Sequence, residues 1–181
     1  MSDYSLFTMT EKQENILLTA LEMFATQGYH AVSTSKIARQ AGVSEALIFR
    51  HFENKEGLLQ AIMKQAEEKT RQVFADIVMT TDAREVISKT LTLPFVVPKE
   101  EYKVWRLMYA LKWQTNSYNP EKMQPLRLAL SNAFKKLGYK QPETEAEILL
   151  MLLDGVVTAM LLHEPEHKEQ LLNTLKAKYN I

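Results

Sequence analysis

Only five glycines and six prolines interrupt this chain of 181 residues, and no segment between them alternates apolar and polar residues with the β-branched enrichment of a strand. With so few breakers, and with apolar residues recurring every three or four positions, the chain is expected to be all-α. The breakers also mark helix ends. Thr10 followed by Gln13 has the form of a capping box. It opens a first helix running to about Thr26, with Ile16, Leu17, Ala20, Leu21 and Phe24 inside. Gly28 closes that helix and Tyr29 is placed to fold back on Phe24. Gly138, Tyr139 and Phe134 repeat the arrangement.

The stretch from Thr34 to Lys55 carries more. Thr34 is expected to cap a short helix ending near Ala41, Gly42 to supply the positive φ of its stop, and Ser44 to cap a second short helix. Leu47, Ile48, Phe49 and Phe52 are too many apolar groups for a free surface helix, so one face is buried and the rest meets a partner. Helix, glycine-containing turn, helix is the helix-turn-helix arrangement, whose second helix enters a DNA major groove.

Charge limits how such a protein binds. The 22 basic and 22 acidic residues cancel, so the chain does not coat nucleic acid by charge alone, and affinity has to come from fitted contacts doubled by a dimer. The absence of cysteine removes disulfides, thiolate metal sites and cysteine nucleophiles, and fits a reducing cytoplasm. Met1 to Ser5 lacks the basic and apolar regions of a secretory signal. The longest apolar run, Ile148 to Leu162, is broken by Asp154 and Gly155, so a soluble, cytoplasmic protein without membrane association is expected.

Beyond the motif, Asn54 is expected to cap a long helix reaching about Met79, with Leu59, Ile62, Ala66, Val73 and Ile77 on its inner line. Asp82 and Glu85 open a fifth helix that should not pass Pro94. A sixth runs from about Lys99 to Gln114, and a loop covers Thr115 to Asn119. Asn119 and Pro120 begin a seventh helix ending before Gly138, and Pro142 begins an eighth that is apolar almost all round from Ile148 to Leu162. A last helix from about Glu166 presents Leu171, Leu172, Leu175 and Tyr179. Too little chain remains to cover the last two helices, so they are expected to pair with their copies in a homodimer. Leu152, Gly155, Val156, Ala159, Leu171 and Leu175 would lie in that interface.

Phe24-Ala25 and Gly28-Tyr29, then Thr34-x-x-Ile37-Ala38-x-x-Ala41-Gly42-Val43-Ser44, then Phe49-x-His51-Phe52-x-x-Lys55-x-x-Leu58 form an ungapped pattern over about residues 10 to 60. It resembles the TetR family of transcriptional regulators. The resemblance implies a helix-turn-helix domain over residues 1–53 and a larger helical ligand-binding and dimerisation domain over 54–181. It also implies a homodimer that represses from a palindromic operator on double-stranded DNA and leaves when a small effector enters the second domain. Leu152-Leu153-Asp154-Gly155 looks like a segment such proteins often carry in the penultimate helix.

Carried over by position, the resemblance puts Thr34, His51 and Lys55 on phosphates, with Ser35 beside Thr34 on phosphate or a base edge. Ser44, Glu45, Ala46 and Leu47 begin the recognition helix. Glu45 either accepts from a cytosine N4 or simply favours its helix N-terminus, and Ala46 or Leu47 touches a thymine methyl. Two residues depart from the pattern. Phe49 replaces the usual Tyr and loses a phosphate-reaching hydroxyl, and Leu47 replaces a small polar residue.

For the effector, the candidates are Phe74, Trp105, Met108, Tyr109, Trp113, Tyr118 and Met123, a bulky apolar set that suits a mainly hydrophobic molecule. No cofactor is expected. Two competing readings stand beside this one. His163 and His167, with Glu164 and Glu166 between them, suggest a metal-binding enzyme or metal sensor, although Pro165 interrupts the helix such a pair needs. A helical interaction protein that has lost DNA binding is the other, and Phe49 and the acidic residues near the motif favour it. No glycine-rich nucleotide loop or serine-histidine-aspartate arrangement supports an enzyme.

Overall fold

The computed structural model describes residues 9–114 and 120–181, with backbone only at 112–114 and 120, and the regular structure in these segments is helical. Helix α1 spans Glu11–Gln27, α2 Thr34–Ala41, α3 Glu45–Phe52 and α4 Lys55–Met79. Helix α5 spans Ala83–Val96, α6 Tyr102–Gln114, α7 Gln124–Lys136, α8 Pro142–Leu162 and α9 Lys168–Lys178.

The local end signals operate as chemistry requires. Thr10 and Gln13 form the reciprocal capping box of α1. Ser44 accepts from Leu47 at the start of α3, Asn54 from Gly57 at the start of α4, and Asp82 from Glu85 at the start of α5. Gly28 and Gly138 take φ of 85° and 82°. Behind them Tyr29 meets Phe24 edge-on at 5.1 Å between centroids, and Tyr139 meets Phe134 at 4.9 Å.

Several boundaries differ from expectation. Ser33, not Thr34, caps α2: its hydroxyl accepts from the Lys36 amide at 3.2 Å, which makes Thr34 the first helical residue. Helix α5 passes Pro94 and stops only at Val96, because the proline falls in the last turn and its buried ring costs the helix little beyond one hydrogen bond. A 3-10 turn at Lys99–Glu101 precedes α6. Another at Pro120–Met123 precedes α7, whose early proline is Pro125, while Asn119 lies outside the described residues. Helix α9 begins at Lys168 rather than Glu166. Val73 is 42% exposed. The inner line of α4 runs Ile62, Ala66, Thr70, Phe74, Ile77, and Val73 stands one residue off it.

Two apolar cores organise the packing. The first joins α1 to α3 through Ile16, Phe24, Ile37, Ile48 and Phe52, and continues into Leu58, Leu59 and Ile62 of α4 and Leu107 and Leu111 of α6. Packing therefore runs unbroken across the expected boundary at residues 53 and 54. The second gathers Ile77, Ile87, Leu91, Leu126, Leu130, Phe134 and Leu149 from α4, α5, α7 and α8. Of the last helix, Leu172, Leu175 and Tyr179 lean on this second core, and Arg84 of α5 donates to the Asn180 carbonyl. Leu171 stays 44% exposed. The stripe expected to face a second subunit is thus divided between its own chain and the outside.

Candidate nucleic-acid interface

Helix α3 is held by one face. Ile48 is fully buried and Phe52 is 8% exposed, four residues apart, and both enter the first core. Ala46, Phe49 and Arg50 lie on the outside, with Ser44 exposed at the N-cap. Phe49 keeps 45% of its surface in solvent, a large cost for an aromatic ring unless something covers it. Leu47, expected at a base edge, is half-buried and packs on the first core, so the apolar groups most exposed on the outside are Ala46 and Phe49. Arg50 is not among the residues expected at this interface. Its place four residues after Ala46 puts it on the outer face, and that spacing was the signal for it.

At the other positions the structure adds partners. The Thr34 hydroxyl donates to Glu45 Oε1 at 2.6 Å, joining the first residues of α2 and α3. Ser35 is exposed beside it. Gln13 Nε2 and His51 Nδ1 lie 3.2 Å apart. Gln13 Oε1 accepts from the Thr10 amide, so the glutamine's NH₂ group donates to His51, and this network assigns the ring proton to Nε2. An N–H on that side suits a phosphate oxygen. The Asn15 amide donates to the Ala41 carbonyl at 2.9 Å and ties α1 to the end of α2.

Lys55 is placed differently from a simple phosphate contact. Its half-buried ammonium donates to the carbonyls of Tyr29 at 3.0 Å and Val32 at 3.1 Å, and stands 4.3 Å from the centre of the Tyr29 ring. The same tyrosine's hydroxyl donates to Glu56 Oε2 at 2.8 Å. Burial, with the Glu56 hydrogen bond and charge added, pushes the Tyr29 phenol up to about 12 from an ordinary 10.0. In the folded chain the phenol therefore keeps its proton after the unfolded chain has lost it. The resulting stability is present below pH 10 and fades as pH rises towards 12. Urea melts across that window should show falling stability in the wild type and a flatter profile in Tyr29→Phe. Equal slopes would rule the linkage out.

Residues 16–62 match the family model described as bacterial regulatory proteins, tetR family. The chain belongs to the TetR family. The Bacillus subtilis regulator YvkB is 44% identical over 57 residues, which cover 32% of this chain and 30% of that protein, so the match spans less than a third of this relative. The transcriptional activator FasR of Mycolicibacterium smegmatis is 25% identical over 148 residues, covering 81% of this chain and 68% of the relative. A transcriptional regulator from Saccharomonospora viridis, solved in complex with choline, superposes with a TM-score of 0.68 at 24% identity, covering 96% and 98% of the two chains, and so shares the fold.

Outside the helix-turn-helix of this TetR-family chain, the structure does not gather the expected effector residues into one core. Phe74 and Met123 pack against the second core, while α6 sends Leu107 and Leu111 into the first. Trp105, Met108 and Tyr109 are half-buried, and the Tyr109 hydroxyl donates to Asp154 at 2.9 Å. The Trp113 side chain and Tyr118 lie outside the described residues. A concavity of about 240 Å³ between α4 and α5, lined by Val73, Asp76, Ser88, Lys89 and Val96 among others, includes none of the candidates. An open groove along α9 includes none either.

His163 and His167 are both exposed, at the end of α8 and the N-cap of α9, with the helix broken between them. Among the described residues no three histidine or acidic side chains are grouped to hold a metal, and no helix is long and apolar enough to cross a membrane.

Proposed function

We propose that this protein is a cytoplasmic, DNA-binding transcriptional regulator that represses from a palindromic operator as a homodimer and leaves it when a small, mainly hydrophobic effector binds. The observation that carries the reading is Phe49, 45% exposed on a helix that Ile48 and Phe52 lock into a core. Such a ring, between Ala46 and Arg50, suits a groove that offers thymine methyls and guanine edges. Thr34, Ser35 and His51 of the same motif add groups suited to phosphates, which set register rather than sequence. Lys55 has one ammonium N–H beyond its two carbonyl bonds to add to that set.

Dimerisation draws support from α8. Ile148, Met151 and Leu162 are 47%, 69% and 70% exposed, and a Cβ at Gly155 would meet nothing within 4 Å. These residues follow helical spacing, with Leu152, Val156 and Ala159 half-buried along their flank, and Leu171 of α9 adds to the face. Met151→Glu is expected to shift the sedimentation mass to that of one 20.9 kDa chain and to weaken operator binding in step. An unchanged mass would remove α8 from the interface.

The effector reading draws on the bulky residues of α4, of α6 and of the turn before α7, and the effector's small size on the choline in complex with the Saccharomonospora viridis protein. A shift at Phe74 would travel along α4 to Lys55 and change the spacing of the two recognition helices. Selection of bound duplexes from a random pool tests the core of the proposal. A palindromic site should emerge, and its absence would sink the regulator reading. Reporter expression with and without the gene then distinguishes repression from activation, the role FasR is named for.

A further inference from the structure

The Thr34–Glu45 hydrogen bond assigns Glu45 a use that neither helix placement nor base contact requires. Ser33 satisfies the Lys36 amide, which leaves the first amides of α2, beside the Thr34 hydroxyl, without intrahelical partners. That is a setting in which a phosphate oxygen is favoured. The hydroxyl has one proton, and at 2.6 Å it is already given to the Glu45 carboxylate. The carboxylate is itself the first residue of α3, where the helix dipole favours it. Two helix N-termini of the motif therefore converge on one protein anion.

We propose that Glu45 is an internal competitor for the DNA backbone and thereby a specificity-determining residue. This rests on the DNA-binding reading above. A phosphate that takes the Thr34 hydroxyl must displace the carboxylate and then sit beside its negative charge. On arbitrary duplex that displacement leaves Glu45 without a donor. On a matched site the released carboxylate accepts from a base amino group in the major groove, a cytosine N4 or an adenine N6. Phosphate docking and base readout are then coupled through one proton. A backbone contact that would otherwise reward any sequence rewards only sites with a donor in reach.

The prediction has a sign opposite to that of an ordinary contact. Binding is measured by fluorescence anisotropy on a selected operator and on a scrambled duplex, for wild type, Glu45→Ala, Glu45→Gln and Thr34→Val, and for Thr34→Val combined with Glu45→Ala. Melting curves establish that each variant is folded. Glu45→Ala is expected to bind the scrambled duplex about tenfold tighter and the operator no tighter, so that the specificity ratio falls about tenfold. Glu45→Gln, which keeps the shape and removes the charge, should move the same way. The gain should shrink to under threefold in the Thr34→Val background, because the hydroxyl over which the two anions compete is gone.

If Glu45 only pins α2 to α3, its removal weakens both duplexes together, and that result overturns the proposal. An unchanged ratio, or an equal gain with and without the Thr34 hydroxyl, also overturns it. If wild type and all variants bind no duplex even at low salt, the DNA-binding reading falls and takes this one with it. Duplex binding with an unaltered ratio sinks this proposal alone.

Discussion

Gly57→Ala is expected to destabilise the protein by about 3 kcal/mol, at the upper end of overpacking costs, although alanine is ordinarily the better helix former by about 1 kcal/mol. Gly57 sits in the first turn of α4, where its amide donates to Asn54 Oδ1 at 2.8 Å. A Cβ built there lies 2.0 Å from the Phe52 carbonyl oxygen and 3.1 Å from its carbon. The obstacle is the backbone at the end of α3, so no side-chain rotation relieves it. That carbonyl also accepts from Asn54 at 2.7 Å, and Glu53 between them already has φ of 64°. The junction gives way only by moving α3 against α4. Urea unfolding should show a lower midpoint, and operator affinity should fall beyond what the unfolded fraction explains, because the recognition helix is re-aimed. A midpoint above that of the wild type would refute this account.

Lys55→Met is expected to cost about 2–4 kcal/mol, on the scale of charge-assisted hydrogen bonds left unmade. Methionine keeps the apolar stem but leaves the Tyr29 and Val32 carbonyls without the ammonium that gathers them, and removes the cation from the Tyr29 ring. These carbonyls belong to the connection between α1 and α2, so the start of α2 loosens and DNA binding weakens with it. A residue that touched only phosphate would behave otherwise. Stability would hold, and the slope of log affinity against log salt would fall by about one. Thermal melts and a salt titration on the same variant separate the two roles, and an unchanged melting temperature would remove the positioning role.

Helix ends were legible because each depends on residues within one turn. Thr10 with Gln13, Ser44 with Leu47, Asn54 with Gly57 and Asp82 with Glu85 are three apart, and a capping bond needs only that spacing. The two tyrosines behind Gly28 and Gly138 are local for the same reason. Where two adjacent residues both qualify, the rule loses resolution: Ser33 and Thr34 each carry a hydroxyl, and the structure gives the cap to Ser33. Periodicity likewise assigned Val73 to the inner line of α4 and missed by one residue, because over 25 residues a helix face drifts relative to a fixed spacing. Pro94 shows the reverse case, a breaker overridden because its ring is buried in the final turn.

The motif itself was legible as a set of residue types, and the family pattern over about fifty residues carried it. The pairing within that set was not. Thr34 reaches Glu45 across 11 residues, Lys55 reaches Tyr29 across 26, and His51 meets Gln13 across 38. No spacing rule covers these, since each depends on how α1, α2, α3 and the start of α4 are packed together. Residue order thus specifies most helices and caps, the turn at Gly42 and the extent of α3, through contacts within a few residues. Packing decides the rest: that Leu47 turns inward and Phe49 outward, that Lys55 is committed to backbone carbonyls, and that the proton of Thr34 already has an acceptor in Glu45. A side chain's partner is set by the distance that folding leaves between groups far apart in the chain, and only the assembled helices contain that distance.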